Sequence, residues 1–240
     1  MTSDSQAGLP LEEASPSSGE AAVALRRATA DDIEAFYAIS LATGDRGGDA
    51  AALYRDPQML GHIYAAPYLK LCPEHSFVAE DSDGVGGYVV GTLDTRGFET
   101  RLEQDWWPAL RRRYPPPEGE PKRWDADQRR CYMIHNPRCA PDEIVRAYPG
   151  HLHMNLLPRL QGRGLGPALL DLWLSNAQAR GCPAVHIATS AANPRALHFW
   201  TARGFAEVLQ TSDHSSSGTT WCGRSLATRV VDGETAFTLK

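Results

Sequence analysis

A change of hydrophobic period within residues 151–173 constrains the fold of this chain more than any other feature of its sequence. The segment begins HLHMNLL, in which polar and apolar residues alternate as they do along a β-strand. It ends PALLDLW, in which the apolar residues repeat at the spacing of an amphipathic helix. Residues 161–166, QGRGLG, separate the two halves. The sequence therefore predicts a strand, a glycine-rich loop and a helix in immediate succession.

A glycine-rich loop in this position is suited to bind an anion. The first N–H groups of a helix have no intrahelical partner, and they carry a partial positive charge. Glycine lets the backbone approach a ligand closely because it has no Cβ atom. Arg163 adds a positive charge that can face a phosphate. We therefore predict a pyrophosphate cradle over residues 161–166, with a simple glycine-rich connection as the alternative.

Two familiar phosphate-binding loops do not fit these residues. A P-loop needs a lysine directly after its last glycine, and this chain has no lysine between Lys122 and Lys240. The dinucleotide fingerprint needs the spacing Gly-x-Gly-x-x-Gly and an acidic residue at the end of the next strand. Here the spacing is Gly-x-Gly-x-Gly, and the next predicted strand ends at Thr189 and Ser190.

Composition narrows the class of protein and its partners. With 24 Lys+Arg against 29 Asp+Glu, the formal charge of −5 provides no general basic field, so we expect neither a nucleic acid nor a membrane surface as partner. No apolar run approaches the roughly 20 residues of a membrane span and the N-terminus does not resemble a secretory signal, so we expect a cytoplasmic protein. A monomer and a homodimer both remain open.

The five cysteines lack CxxC spacing, which indicates reduced thiols rather than a disulfide framework. A zinc site using Cys72, His75, Cys131, His135 and Cys139 is an alternative. Because these residues form no paired motif at metal-ligand spacing, we expect no metal cofactor.

The chain is predicted to form one domain after a polar tail. Residues 1–22, rich in Ser, Glu, Pro and Gly, are predicted to be disordered, and residues 23–240 to form a single domain with an insertion at about 98–149. Within the insertion we expect an exposed helix, TRLEQDWWPALRRRY, followed by a long polar loop that reaches Asp142. The other predicted elements are the strand VALRRA, the helix DDIEAFYAISLAT, a helical stretch at 49–64, a hairpin from SFVAED to YVVGTLD, strand 151–157, helix 163–180, strand 184–189, helix 194–203, and the strands FAEVLQT and TTWCGRSL.

Two sequence blocks, in the same order and at similar spacing, resemble the GNAT superfamily of N-acetyltransferases. The first is Gln161-x-x-Gly164-x-Gly166 after a strand that ends LLP, and the second is NPRALHFWTARGF at 193–205. Residues from about 77 to 226 fit the superfamily pattern apart from the insertion. The longer run YPGHLHMNLLPRLQGRGLG is similar to bacterial relatives of the acetyltransferase-like C-terminal domain of O-linked N-acetylglucosamine hydrolases.

This resemblance implies an α/β fold with a mixed, mostly antiparallel sheet that is flanked by helices and splayed between the strands at 151–157 and 184–189. It implies acetyl-CoA as co-substrate and transfer of its acetyl group to a primary amine, either a small amine or a protein lysine. The alternative is an acetyl-CoA-binding or catalytically weak recognition module of the same fold. By position, the residues implied to contact acetyl-CoA are Leu156, Leu157, Gln161, Gly162, Arg163, Gly164, Leu165, Gly166, Asn193, Ala196, Phe199 and Trp200.

A base for the amine is expected on the strand before the loop. His151, His153 and Asn155 alternate onto one face, and histidine titrates in the range where a base is useful, so we expect a rate that rises through pH 6 to 8. We favour His153, followed by His151 and Asp94, with Tyr132 as a weaker candidate. The superfamily often has a tyrosine where this chain has Trp200, which puts the usual protonation of the thiolate in doubt.

Overall fold

One seven-stranded sheet organises the part of the chain that the structure, a computed structural model, describes: residues 22–212 and 218–226. The strands are β1 (Ala24–Arg27), β2 (Phe77–Asp81), β3 (Gly84–Thr92), β4 (Gly150–Leu156), β5 (Ala184–Ser190), β6 (Ala206–Thr211) and β7 (Thr219–Ser225). Their spatial order is β1-β2-β3-β4-β5-β7-β6, and among these strands only β4 and β5 run parallel. The predicted mixed, mostly antiparallel α/β fold is confirmed.

The helices lie between the strands and cover both faces of the sheet. They are α1 (Ile33–Ala42), α2 (Met59–Tyr64), α3 (Ala66–Leu71), α4 (Thr95–Arg101), α5 (Trp107–Arg113), α6 (Ala126–His135), α7 (Asp142–Ala147), α8 (Leu165–Ala179) and α9 (Pro194–Thr201). None of the helices in the described ranges is long and apolar enough to cross a membrane. The segment predicted as an insertion, 98–149, runs from within α4 through α7.

Alternate residues of β3 pack on opposite sides of the sheet. Val89 joins the cluster around Trp173 of α8, while Tyr88 and Val90 join the cluster around Phe36 of α1. The rings of Phe36 and Tyr88 stack with their centroids 4.9 Å apart. Trp173 is fully buried, and its indole N–H donates to the carbonyl of His75 at 2.9 Å. Each face of the sheet therefore has its own apolar core.

The sheet opens between β4 and β5. These strands pair only at Gly150 with Val185 and at His151 with His186. Beyond that point β4 keeps its pairing with β3, and β5 keeps its pairing with β7. The outward ends of β4 and β5 therefore diverge, which produces the predicted splay.

Two predictions for the segment between β3 and β4 were wrong. The helix containing the two tryptophans is not exposed, because Trp107 is 5% exposed and packs with Met59 and Leu110. This helix also contains a π-helical turn, Leu102–Trp106, just before Pro108, whose nitrogen has no hydrogen to donate.

The predicted polar loop up to Asp142 instead contains α6, which an Asp125–Gln128 capping box starts. The helical stretch predicted at 49–64 is shorter and later, because α2 begins at Met59. The elements predicted from 151 onwards lie within two residues of their observed bounds. The predicted tail at 1–22 lies, except for residue 22, outside the described residues.

Candidate active site

The glycines before α8 have two different structural roles. Gly162 and Gly164 have φ angles of 76° and 74°, a left-handed conformation that side chains with a Cβ rarely adopt. Gly164 is the residue directly before α8, so its conformation turns the chain into the helix. Gly166 has no such angle, but a Cβ there would lie 3.4 Å from Cε2 of Phe199 in α9. The loop therefore needs glycine at positions 162 and 164 for its backbone shape, whereas a Cβ at position 166 would make ordinary contact with Phe199.

This loop borders a large cleft of about 1000 Å³ between the splayed strands. One wall comes from β4, the glycine loop and α9, and the other from residues 43–47, Tyr54 and α6. Five arginines and one aspartate line the cleft, although the whole chain has a net charge of −5. The charged lining residues are Arg46, Arg129, Arg130, Arg195, Arg203 and Asp45. The cleft is therefore suited to an elongated anionic ligand.

Most of the residues that the sequence implicated in cofactor binding line this cleft. They are Leu156, Gln161, Gly162, Gly164, Gly166, Asn193, Ala196, Phe199 and Trp200. The Gln161 side chain donates to the carbonyl of Leu156 at 2.8 Å and accepts a bond from Arg195 at 2.6 Å. The Asn193 side chain caps α9 by accepting from the amide of Ala196 at 3.0 Å.

Three of the implicated residues are placed differently. The amide of Leu157 donates to the carbonyl of Gly86 at 2.8 Å, and its side chain packs on the α1 side of the sheet. Its N–H is therefore already used and cannot serve a ligand. Leu165 packs into the core beneath α8, and Arg163 is not among the residues that line the cleft.

A second, smaller cavity of about 200 Å³ adjoins the first, and we call it the aromatic cavity. Its aromatic walls are Tyr64, Tyr68, Phe98, Trp107 and Trp221, together with the rings of His151, His153 and His186. Along β4, residues 151–153 line the aromatic cavity and residues 154–156 line the large cleft. Along β5 the change falls between Ala188 and Ser190. The two spaces therefore meet where β4 and β5 separate.

His151 is held by hydrogen bonds at both ring nitrogens. The Thr95 hydroxyl donates to the carbonyl of Pro149 at 2.7 Å, so its oxygen is left to accept from Nδ1–H of His151 at 2.8 Å. Nε2 of His151 must then accept from the hydroxyl of Tyr68, 2.7 Å away. Burial holds the pKa of His151 well below its usual value, and His186 and His153 lower it further. His151 is therefore a neutral, fixed imidazole.

His153 differs because its ring has no hydrogen bond to any residue in the described ranges, although it lies in the same cavity. Its ring centroid is 5.5 Å from that of Tyr68 and 6.1 Å from that of Tyr64. Burial lowers the pKa of His153 to about 4, with a further contribution from His186. The sequence analysis expected a base that titrates between pH 6 and 8, and the pKa of His153 lies below that range. His153 is neutral at pH 7, and it lines the aromatic cavity.

The carboxylates of the aromatic cavity are engaged by arginines. Glu99 pairs with Arg96 and also accepts from the amide of Ala140 at 2.9 Å, and Glu103 pairs with Arg111 at 2.8 Å. The cavity is therefore lined mainly by apolar and aromatic groups, and Arg138 is a further charged residue in its wall.

Two weaker candidates for the base lie elsewhere. Asp94 is exposed and caps α4 by accepting from the amide of Gly97 at 3.0 Å. Tyr132 is 45% exposed on α6, where its ring lies beside that of Trp124. Neither residue is among those that line the large cleft or the aromatic cavity.

Trp200 combines a structural role with a position on the cleft. It is 8% exposed, and its ring meets those of Phe199 and Phe205 edge to face at 5.1 and 5.2 Å. The indole N–H cannot deliver a proton to a thiolate, so Trp200 does not replace the tyrosine in this role.

The sequence did not identify Tyr64, Tyr68, Thr95 or Arg130 as site residues, because no local motif marks them. The five cysteines are free thiols, and the described residues contain no group of three or more His, Cys, Asp and Glu side chains arranged to hold a metal ion.

Comparisons with known proteins agree with the fold and with the glycine-rich loop described above. The profile of the acetyltransferase (GNAT) family matches residues 50–205. A crystal structure of SsHAT is 38% identical in sequence, with a TM-score of 0.76 over 86% of this chain and 99% of that one. A structure of yncA from Salmonella typhimurium with its cofactor acetyl-CoA shares the fold at 16% identity, a TM-score of 0.51, and coverage of 87% of this chain and 96% of that one.

Among curated proteins, the O-GlcNAcases of Rattus norvegicus and Mus musculus are each 22% identical over 154 residues, or 64% of this chain. The aligned part spans only 17% of the length of those relatives. The chain belongs to the acetyltransferase (GNAT) family, and its enzyme class is that of the acetyl-CoA-dependent N-acetyltransferases.

Proposed function

We propose that this protein transfers the acetyl group of acetyl-CoA to the primary amine of a small molecule bound in the aromatic cavity. The observation that carries the proposal is the meeting of two unlike spaces where β4 and β5 separate. One is long, open and lined by arginines, and the other is small and apolar. Two substrates that enter from opposite sides would have their reactive groups brought together at this junction.

The large cleft fits acetyl-CoA in charge and in backbone geometry. The left-handed Gly162 and Gly164 expose backbone N–H groups before α8, a 15-residue helix whose N-terminus favours phosphate. The five arginines of the cleft would add charge complementarity to the phosphates. Leu156, Asn193 and Phe199 would line the path of the pantetheine arm.

The shape of the aromatic cavity favours a small amine over a protein lysine. Its volume of about 200 Å³ lies below the range of roughly 300–1,000 Å³ that is typical of pockets for drug-sized ligands. Met133 of α6 and the segment 137–140 also line it, so the chain between β3 and β4 covers this space. A lysine would have to bring its flanking peptide backbone along, which requires an open groove.

His153 is the residue we propose as the base. Acetyl-CoA supplies an activated acyl group as a thioester, which a neutral amine attacks. Because the pKa of His153 is about 4, its imidazole is unprotonated at pH 7 and can accept the amine proton. The apolar cavity disfavours an ammonium ion through desolvation, so the amine is selected in its neutral form. His151, fixed by Tyr68 and Thr95, would position the acceptor.

A panel of small amines and lysine peptides, assayed with acetyl-CoA, tests this function. We expect turnover with small amines that carry an apolar body, and an increase in melting temperature with acetyl-CoA, since the cleft exists only in the folded protein. His153→Ala should lower the rate about 10²–10⁴-fold while acetyl-CoA affinity is retained. His198→Ala is the matched control because His198 is exposed on α9.

The pH profile separates this base from an ordinary histidine. We expect no loss of rate from His153 between pH 8 and 6, and a loss as pH falls towards about 4, where this side chain becomes protonated. Acetyl-CoA binding without turnover of any acceptor would instead support a recognition module, which the presence of Trp200 favours. Absence of binding at millimolar acetyl-CoA would contradict the proposal altogether.

A further inference from the structure

Arg130 of α6 lies at the boundary between the two spaces. It lines the large cleft, and its guanidinium lies 5.5 Å from the ring centre of Tyr64, which lines the aromatic cavity. The Tyr64 ring is in turn 6.1 Å from that of His153. The junction of the spaces therefore has an imidazole on the β4 side and a guanidinium on the α6 side.

The charge of Arg130 has no anionic partner among residues 22–212 and 218–226. Its Nε donates to the hydroxyl of Tyr54 at 3.2 Å, and a terminal nitrogen contacts the sulfur of Met133 at 2.9 Å. Both partners are neutral acceptors. Arg130 is half-buried, and a cation removed from water without a counter-ion is costly unless a ligand supplies the opposite charge.

Other charged and titratable groups in this region do not offset that charge. On α6 itself, Asp127 accepts from the backbone amide of Arg55, and Arg129 adds a further positive charge to the cleft. From the other elements, Tyr54, Tyr64 and His153 face Arg130 or the junction, and the pKa of His153 is low enough to keep it neutral. Asp45 and Arg46 also line the large cleft, where their charges are opposite, and Arg138 lines the aromatic cavity. The junction is therefore electropositive when it holds no ligand.

We propose that Arg130 stabilises the thiolate of coenzyme A as it leaves, in place of the acid that Trp200 cannot supply. This inference rests on the proposed function. The amine nitrogen forms a bond to the acetyl carbon, the carbon–sulfur bond breaks, and its electron pair stays on sulfur. His153 takes the proton of the amine and later releases it to water. The sulfur leaves at the junction because the amine lies on one side of it and coenzyme A on the other.

This chemistry needs a cation more than it needs an acid. A free thiol has a pKa of about 8.5, so near pH 7 the thiolate is only slightly less stable than the thiol. A neighbouring guanidinium is one of the surroundings that lower the pKa of a thiol, together spanning values of about 3.5–7.5. Arg130 can therefore make the thiolate the stable product, and no proton has to be delivered at the moment the bond breaks.

Binding of coenzyme A and of desulfo-coenzyme A to the full chain tests this without requiring turnover. The quantity of interest is the affinity for coenzyme A divided by the affinity for desulfo-coenzyme A. If Arg130 lowers the pKa of the bound thiol, this ratio should rise between pH 6 and 9, by about tenfold for each whole number by which that pKa falls. Calorimetry at a series of pH values measures the ratio. Arg130→Gln should make the ratio independent of pH, whereas Arg130→Lys should retain part of the rise.

Arg112→Gln is the matched control, because it removes the same charge from an exposed residue that lines neither space. It should behave like the wild type. The proposal is overturned if the affinity ratio still rises with pH in Arg130→Gln. It is also overturned if Arg130→Gln loses the same affinity for both ligands at every pH, which would mean that Arg130 contacts a phosphate. A flat ratio in a wild-type protein that binds coenzyme A refutes this inference alone. No binding of either ligand refutes the proposed function as well.

Discussion

Replacing His62 should reduce the sensitivity of the fold to acid. His62 is 6% exposed on α2 and lies outside both spaces. Arg113 donates to its Nε2 at 3.3 Å, so Nδ1 carries the hydrogen and donates to the hydroxyl of Tyr37 at 3.0 Å. Protonation would place a second positive charge against Arg113. Burial first, and Arg113 second, lower the pKa of His62 to about 4.

The size of the effect follows from proton linkage. In the unfolded chain His62 titrates near 6.5, so between pH 6.5 and 4 the unfolded state binds more protons than the folded state. The stability due to His62 is complete above pH 6.5 and is lost as pH falls towards 4. A pKa that falls from 6.5 to about 4 corresponds to about 3 kcal/mol, of which about 2 kcal/mol is lost by pH 5.

The variant His62→Gln keeps an acceptor for Arg113 and a donor for Tyr37 but cannot titrate. Urea unfolding, followed by tryptophan fluorescence at about pH 7.5 and 5, gives the free energy of unfolding in each case. We expect His62→Gln to lose about 2 kcal/mol less than the wild type over this interval. His198→Gln, altered at an exposed position of α9, is the control and should lose as much as the wild type. The reasoning is refuted if His62→Gln loses as much as the wild type.

Two further substitutions test the glycine-rich loop and the packing of the segment between β3 and β4. Gly164→Val should weaken acetyl-CoA binding at least tenfold, because it strains a residue at φ 74° and hinders the approach of the backbone to the ligand. Gly181→Val, at φ 79° outside the cleft, is the control: it should carry a similar strain of about 1–3 kcal/mol and still bind acetyl-CoA. Equal loss of affinity in both variants, measured by calorimetry, would contradict the cradle. Trp107→Ala should lower the free energy of unfolding by about 3–5 kcal/mol, since Trp107 is 5% exposed, whereas the largely exposed Arg112→Ala should stay within about 0.5 kcal/mol. A loss below about 1 kcal/mol for Trp107→Ala in denaturant unfolding would show that the segment before β4 is not packed as described.

Sequence periodicity predicted the strand–loop–helix unit because each of its signals is local. The alternation before residue 157 and the glycines at 162 and 164 each act within a few residues, as does the later cap at Asn193. The resemblance of the two blocks then supplied the fold and the co-substrate.

The aromatic cavity could not be predicted in this way. Its walls come from α2 through α6, the π-helical turn, β4, β5 and β7. Several of these elements are far apart in the chain, and no periodic pattern shows that they meet. Trp107 was predicted on an exposed helix, yet that helix packs on α2. The low pKa of His153 has the same origin, since it depends on burial by Tyr64 and Tyr68, which are remote in sequence.

The splay between β4 and β5 also determines which parts of the molecule can adapt to a ligand. Every residue of β5 is paired with β7, and His151 through Leu156 of β4 are paired with β3. Each strand is therefore held, along these lengths, on the side that faces away from the splay. The sheet thus consists of two paired groups of strands, β1-β2-β3-β4 and β5-β7-β6, that are joined at Gly150 and His151. Moving β4 or β5 away from its partner strand would break ladder hydrogen bonds, so we expect adjustment to a ligand in α6 and residues 43–47 on the opposite wall. Most of the entropy cost of ordering the protein around acetyl-CoA would then fall on α6 and residues 43–47, rather than on the strands.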